Sequence, residues 1–231
     1  MNRETYIALE TYMIRCMRDS AHDKEHIYRV LNNAMRIAAD EKNVDYDVLI
    51  CACILHDIGR PAQLANPELC HAQVGSQQAY RYLVESGYPE AFAYQVQSCI
   101  RTHRFRKNDP PVSLEAKILF DADKLDVVGA IGVARSLAYQ GTVSAPMYSR
   151  NPDGTVSDGC GDTVPSFFRE YHYKLIKLYD RFYTKAGAAL ARERRSAAES
   201  FYQNLLAEVR DSCDGSLVEK VLSGSAEKSE C

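Results

Sequence analysis

Between residues 23 and 41, Ile27, Val30, Leu31, Met35, Ile37 and Ala38 recur at intervals of three and four. That spacing is the period of a helix with one apolar face, and it returns along most of the chain. Residues 4–18 place Ile7, Ile14 and Met17 near one side, and 46–57 form a strongly apolar segment expected as a central helix, stopped by Gly59 and Pro61. Helices are expected over 71–86, ended by Gly87 and Pro89, and over 89–104. Pro110 and Pro111 break the chain. The next helix is expected to run from Leu114 past Asp126 toward Tyr139. Two more, at about 166–183 and 186–210, carry Tyr and Leu on one side and Arg and Glu on the other, and the tail from Asp211 has room for one short helix. No strand-type alternation and no internal repeat interrupts the pattern, so the expected class is all-α.

Residues 141–165, GTVSAPMYSRNPDGTVSDGCGDTVP, break the rhythm. The stretch is long for a connection inside a compact domain. Two readings stand: a passive disordered connector, or a partly mobile flap over a substrate cleft, with Tyr148 and Arg150 to stack on a ligand or contact phosphate.

With 231 residues and 46% hydrophobic content, the chain can bury one large core. A single domain over 1–231 is expected, with its core at about 20–140, the loop at 141–165 and C-terminal helices at 166–224. A net charge of −3 provides no general field for a nucleic-acid polymer. A small phosphorylated ligand needs only local positive charge. No N-terminal secretory pattern and no apolar run of membrane length stands out, so a cytoplasmic protein without a membrane partner is expected. None of the eight cysteines forms a C-x-x-C pair, and Cys16, Cys51, Cys53 and Cys99 sit inside helical patterns. They are expected as reduced, packed thiols. Nothing in the composition bears on oligomeric state.

The chemistry concentrates in a few residues. "CACILHDIGR" ends a buried-looking segment on adjacent His56 and Asp57. A charge there is costly unless it is paired or metal-bound. His26, His71 and His103 lie on other helical segments, and "LFDADKLD" offers Asp121, Asp123, Lys124 and Asp126. Imidazoles and carboxylates together suit a divalent ion of borderline hardness, and facing helices can present them inward. A lone histidine is more often an ordinary hydrogen-bonded residue. His22 is expected at the surface or capping a helix, and His172 packed among tyrosines.

The order His26, His56-Asp57, Asp123, with "DKEHIYRV", "LHDIGR", "IRTHR", "DADKLDVVGAIGVAR" and "YHYKLIKLY", resembles the HD superfamily of metal-dependent phosphohydrolases. Within it, the sequence is similar to the bacterial branch that contains nucleotide pyrophosphohydrolases, over roughly residues 20–210. The resemblance implies an HD-type helical bundle with additional C-terminal helices. It implies one tightly held divalent ion, manganese first, with iron, nickel, cobalt, zinc and magnesium as alternatives. The implied ligands are His26, His56, Asp57 and Asp123. Asp123 is chosen because it directly precedes the lysine, and Asp121 lies about 200° away around a helix. Asp126, one turn on, is expected to orient a ligand or pair with Arg29. Asp57 would also orient the attacking water, and Lys124 would offset charge on phosphate. Arg60, Arg104 and His103 are candidate phosphate contacts. His71 would donate a proton to the leaving group; the alternative makes His71 and His103 ligands of a second ion. The implied reaction releases pyrophosphate from a nucleoside triphosphate. A nucleotidase or phosphodiesterase on the same site, or a non-catalytic nucleotide sensor, are the alternatives.

Overall fold

The computed structural model describes residues 1–17, 24–104 and 108–223; His22 lies outside them. In chain order the α-helices are α1 (Arg3–Cys16), α2 (Lys24–Ala38), α3 (Tyr46–Leu55), α4 (Arg60–Ala65), α5 (His71–Glu85), α6 (Glu90–Thr102), α7 (Leu114–Leu125), α8 (Gly129–Thr142), α9 (Phe167–Tyr173), α10 (Lys185–Ser212) and α11 (Ser216–Leu222). A 3₁₀ turn spans Leu175–Asp180. The described residues contain no strand, only one isolated antiparallel bridge between Arg150 and Val156. The protein is all-α.

The chain divides into two compact units. The first comprises Met1–Val128 and Leu178–Glu193, and holds α1 to α7. Its centre is α3, where Val48, Leu49 and every residue from Cys51 to Leu55 are buried. Such a helix has no polar side to turn to water, so neighbours must cover it all round. Contacts to α1, α2, α5, α6 and α7 do so. Asp45 starts α3 by accepting the backbone N–H groups of Asp47 and Val48. The stretch Tyr46–Ala65 meets the length and hydropathy criteria of a membrane span, contrary to the expectation from sequence, but most of it is buried in the bundle. The seven cysteines among the described residues are in no disulfide, and Cys51, Cys53 and Cys99 are buried.

The second unit comprises Gly129–Lys177 and the chain from Arg194 onward. Phe167, Phe168, Tyr171 and Tyr202 form its buried aromatic cluster, with the Tyr171 and Tyr202 rings stacked at 4.0 Å. His172 sits edge-on to both tyrosines and bonds the Tyr202 hydroxyl at 2.9 Å. Residues 141–165 are laced into this unit. Asp162 accepts hydrogen bonds from Ser149 and Ser157, and Val156 and Ser157 are buried. Arg150 is tied to the Gly154 carbonyl, and the Tyr148 hydroxyl meets the Cys213 thiol.

Some expected boundaries shift. The buried stripe of α1 is Leu9, Met13 and Met17, spaced by four, whereas Ile7 and Ile14 are exposed. Instead of one helix past Asp126, α7 stops at Leu125, and the chain restarts with Gly129 in the left-handed region at φ +66°. The expected helix over 166–183 leaves helical geometry at Lys174. Pro61 does not only end a helix: it stands in the first turn of α4, where its missing N–H is harmless.

Candidate metal centre

α3 ends at Leu55, and the turn that follows brings adjacent side chains inward together. His56 stays helical in backbone, and Arg60 N–H bonds back to the Asp57 carbonyl at 2.9 Å. Around this turn, His26 from α2, His71 from α5, His103 at the end of α6 and Asp123 from α7 converge, all buried in the first unit. Two donor groups result. His26, His56 and Asp123 form one; Asp57, His71 and His103 form the other. Asp57 reaches both: Oδ2 lies 3.6 Å from His26 Nε2 and 3.8 Å from His56 Nε2, while Oδ1 lies 3.4 Å from His71 Nε2 and 3.7 Å from His103 Nε2.

The outer ring nitrogens say what the inner ones offer. Nδ1 of His56 meets the Cys53 carbonyl at 2.7 Å, and Nδ1 of His103 meets the Ile100 carbonyl at 2.6 Å. Carbonyls only accept, so each Nδ1 carries the proton and each Nε2 is a bare lone pair. His71 Nδ1 faces Gln63 Oε1 at 2.5 Å, and His26 Nδ1 faces Asp126 Oδ2 at 2.7 Å. The four Nε2 atoms therefore face inward in pairs, 3.4 Å apart for His26–His56 and 3.3 Å for His71–His103. Lone pairs facing at such distances are stable only with a proton or a cation between them. Asp57 Oδ2 is buried with no hydrogen-bond partner. An orphaned carboxylate oxygen beside bare imidazole nitrogens fits a divalent cation of the borderline class.

Burial lowers the pKa of His56, of His71 to about 2 and of His103 to about 4, keeping all three neutral. Burial also opposes charge on Asp57 and Asp123, yet neighbouring cations prevail and both stay well below the usual carboxylate range; Lys124 is the main one for Asp123. His26 differs. Burial disfavours its charge, but hydrogen bonds to Asp123 and Asp126 outweigh it and raise its pKa to about 9. In metal-free protein His26 keeps a proton where an ion would sit. Because that pKa is raised, its contribution to stability is full below about pH 6.5 and is lost as pH rises through about 9. Metal-free protein should therefore lose melting temperature between those pH values, while ion affinity should rise over the same window with release of one proton. Calorimetry in buffers of different ionisation enthalpy reads the proton.

The other expected residues take specific places. Asp126 is fully buried and accepts from His26 and from Arg29 Nε at 2.6 Å, so it both orients a ligand and pairs with Arg29. Asp121 points elsewhere, to the backbone of Tyr183 and Thr184. Lys124 Nζ lies 2.8 Å from Asp123 Oδ2 and 4.7 Å above the Phe120 ring. Arg60 Nε lies 3.0 Å from Asp57 Oδ1. Arg104 follows His103 and is half-buried. His71 and His103, read from sequence as phosphate-facing, are buried with their Nε2 atoms turned to Asp57. Gln63 on α4 was not foreseen, because Gly59-Arg60-Pro61 reads as a stop rather than a new start.

Two glycines allow this packing. A Cβ on Gly59 would lie 2.3 Å from the His71 carbonyl oxygen and 2.5 Å from the Gly75 nitrogen, both backbone atoms. Gly59→Ala must push α5, and His71 with it, away from Asp57. A loss of about 1–3 kcal/mol is expected in denaturant unfolding of the metal-free protein, together with weakened ion binding.

The HD domain family profile matches residues 24–128. A predicted HD superfamily hydrolase from an uncultured Thermotogales bacterium is 30% identical, with 89% of this chain and 92% of that one covered and a TM-score of 0.59. The chain belongs to the HD superfamily of hydrolases. An HD-superfamily hydrolase from Bacillus thuringiensis superposes with a TM-score of 0.67 at 27% identity, covering 89% of this chain and 97% of that one. YpgQ of Bacillus subtilis is 29% identical over 190 residues, or 80% of this chain and 83% of YpgQ. The crystal structure of YpgQ in complex with ADP superposes with a TM-score of 0.67, covering 88% of this chain and 97% of YpgQ; aligned by structure, the identity is 25%.

Proposed function

We propose that this HD hydrolase cleaves nucleoside triphosphates to the monophosphate and pyrophosphate, using divalent cations, manganese first, held by two donor groups that share Asp57. The observation that carries the reading is Asp57 itself, one oxygen toward His26 and His56 and the other toward His71 and His103. His26, His56, Asp123 and Asp57 would hold one ion; Asp57, His71 and His103 would hold the second. When bound, such ions acidify water and polarise phosphoryl oxygens. The chain's own groups do the rest. Neutral His56, His71 and His103 keep their lone pairs available at physiological pH. Arg60 and Lys124, anchored on Asp57 and Asp123, hold positive charge beside the centre, where it offsets charge gathering on phosphate. Arg104 adds a third cation next to His103. His71 serves here as a ligand rather than a proton donor, since its one proton is engaged by Gln63. A nucleotide substrate is supported by the ADP complex of YpgQ.

The test is a nucleotide panel incubated with the protein and Mn²⁺, with orthophosphate and pyrophosphate measured separately. Pyrophosphate release from triphosphates supports the reading. Orthophosphate alone assigns a nucleotidase, and binding without release assigns a sensor; either overturns it.

A further inference from the structure

Three of the four inward-facing imidazoles are held by partners that can only accept. These are the carbonyls of Cys53 and Ile100 and the carboxylate of Asp126. Each choice of partner keeps a proton on Nδ1, so Nε2 is the atom that meets an ion, bare in His56 and His103 and freed in His26 when its second proton leaves. His71 alone is held by a carboxamide, that of Gln63. A carboxamide has two faces. With Oε1 toward the ring, as here, His71 is protonated on Nδ1 and Nε2 is a ligand. With the amide turned over, Nδ1 accepts and the proton sits on Nε2. From there it points at the lone pair of His103 Nε2, 3.3 Å away, and toward Asp57 Oδ1 at 3.4 Å. The first leaves two Nε2 lone pairs facing each other for a cation to satisfy, whereas the second fills that gap with a proton, so only the first admits an ion.

We propose that Gln63 is a positioning residue that selects which nitrogen of His71 carries the proton, and so governs occupancy of the Asp57–His71–His103 group by a divalent cation. The inference rests on the two-group reading above. The backbone around the pair is fixed independently. The Gly59 carbonyl accepts the Gln63 N–H at 3.3 Å, and Gly59 itself lies against the His71 carbonyl and Gly75. Only the side-chain amide has freedom to choose. Partners of this kind affect metal affinity by about 10–100-fold.

The experiment uses the full chain, first chelated and labelled with ¹⁵N-histidine. Long-range ¹H–¹⁵N correlation reports the tautomer of each ring, and the His71 signal is identified by its absence in His71→Gln. Gln63→Glu supplies an obligate acceptor and should show only the Nδ1–H tautomer. Gln63→Leu keeps the volume without an acceptor and should move His71 to Nε2–H. Titration with Mn²⁺ then counts ions. Gln63→Leu should weaken the second ion about 10–100-fold with the first unchanged, and Gln63→Glu should bind both at least as tightly as wild type. A Gln63→Leu protein with the wild-type tautomer, or with wild-type affinity for two ions, overturns the proposal. A wild-type protein that takes one ion overturns the two-group reading instead, and its stoichiometry reveals that before the variants are compared.

Discussion

Asp57→Asn should give a protein that folds as well as wild type in chelator and hydrolyses nothing. Asp57 belongs to one donor group and faces the other, one oxygen to each, so in the proposed two-ion reading its loss removes one ligand from each ion at once. Asparagine keeps the shape. Its oxygen can still meet Arg60 Nε, and its NH₂ can aim at the bare Nε2 of His56 that Oδ2 now faces at 3.8 Å. The carboxylate it replaces has an oxygen with no hydrogen-bond partner. Burying such an atom costs stability, and the expense is retained for binding. In chelator the two proteins should therefore melt within about 2 °C of each other, well under the effect of one lost buried hydrogen bond partner. With Mn²⁺ at a hundredfold excess over Kd, wild type should gain about 11–22 °C, from about 2.7 kcal/mol of linkage at each of the two sites. Asp57→Asn should gain nothing. An asparagine variant that melts far below wild type in chelator would mean that Asp57 is a structural partner of Arg60 and not a metal ligand.

The pattern of what was legible in the sequence follows from range. His56 and Asp57 stand out because they are neighbours at the end of an apolar run, and the cost of leaving them there is a local argument. The all-α class is equally local, written in the spacing of apolar residues. Direction and partnership are not. Ile7 and Ile14 fit a stripe as well as Leu9 and Met13, and only the helices packed on α1 decide which face is covered. The end of α7 is set by Asp126, whose carboxylate is engaged by His26 and Arg29 from a helix about a hundred residues earlier. His71 and His103 are lone histidines in sequence, so their pairing across Asp57 leaves no periodic trace. Helix α4 was hidden by its own proline, and Gln63 with it.

The "DAD" of Asp121-Ala122-Asp123 provides the sharpest comparison, because two buried aspartates on one helix should fail in opposite ways. Asp121 accepts the backbone N–H of Tyr183 at 2.9 Å, the backbone N–H of Thr184 at 2.7 Å and the Thr184 hydroxyl at 2.7 Å. It anchors the chain just before α10, close enough that a Cβ on Gly187 would lie 2.7 Å from its Oδ2. Asp123 instead faces His26 at 3.4 Å and is held by Lys124. Asp121→Ala strands three donors, and at about 1–3 kcal/mol each the melting temperature should fall by about 6–36 °C. What remains folded should still gain stability from Mn²⁺, since no ligand has been touched. Asp123→Ala should fall less far below wild type in chelator than Asp121→Ala, because it strands one largely buried lysine instead of three donors and leaves a histidine able to give up its proton. It should lose hydrolysis and most of the ion-induced gain. Thermal melts of both variants with and without Mn²⁺ read the difference. If Asp121→Ala abolished the ion response and Asp123→Ala kept it, the ligand would be Asp121 and the centre would have to be redrawn around the start of α10.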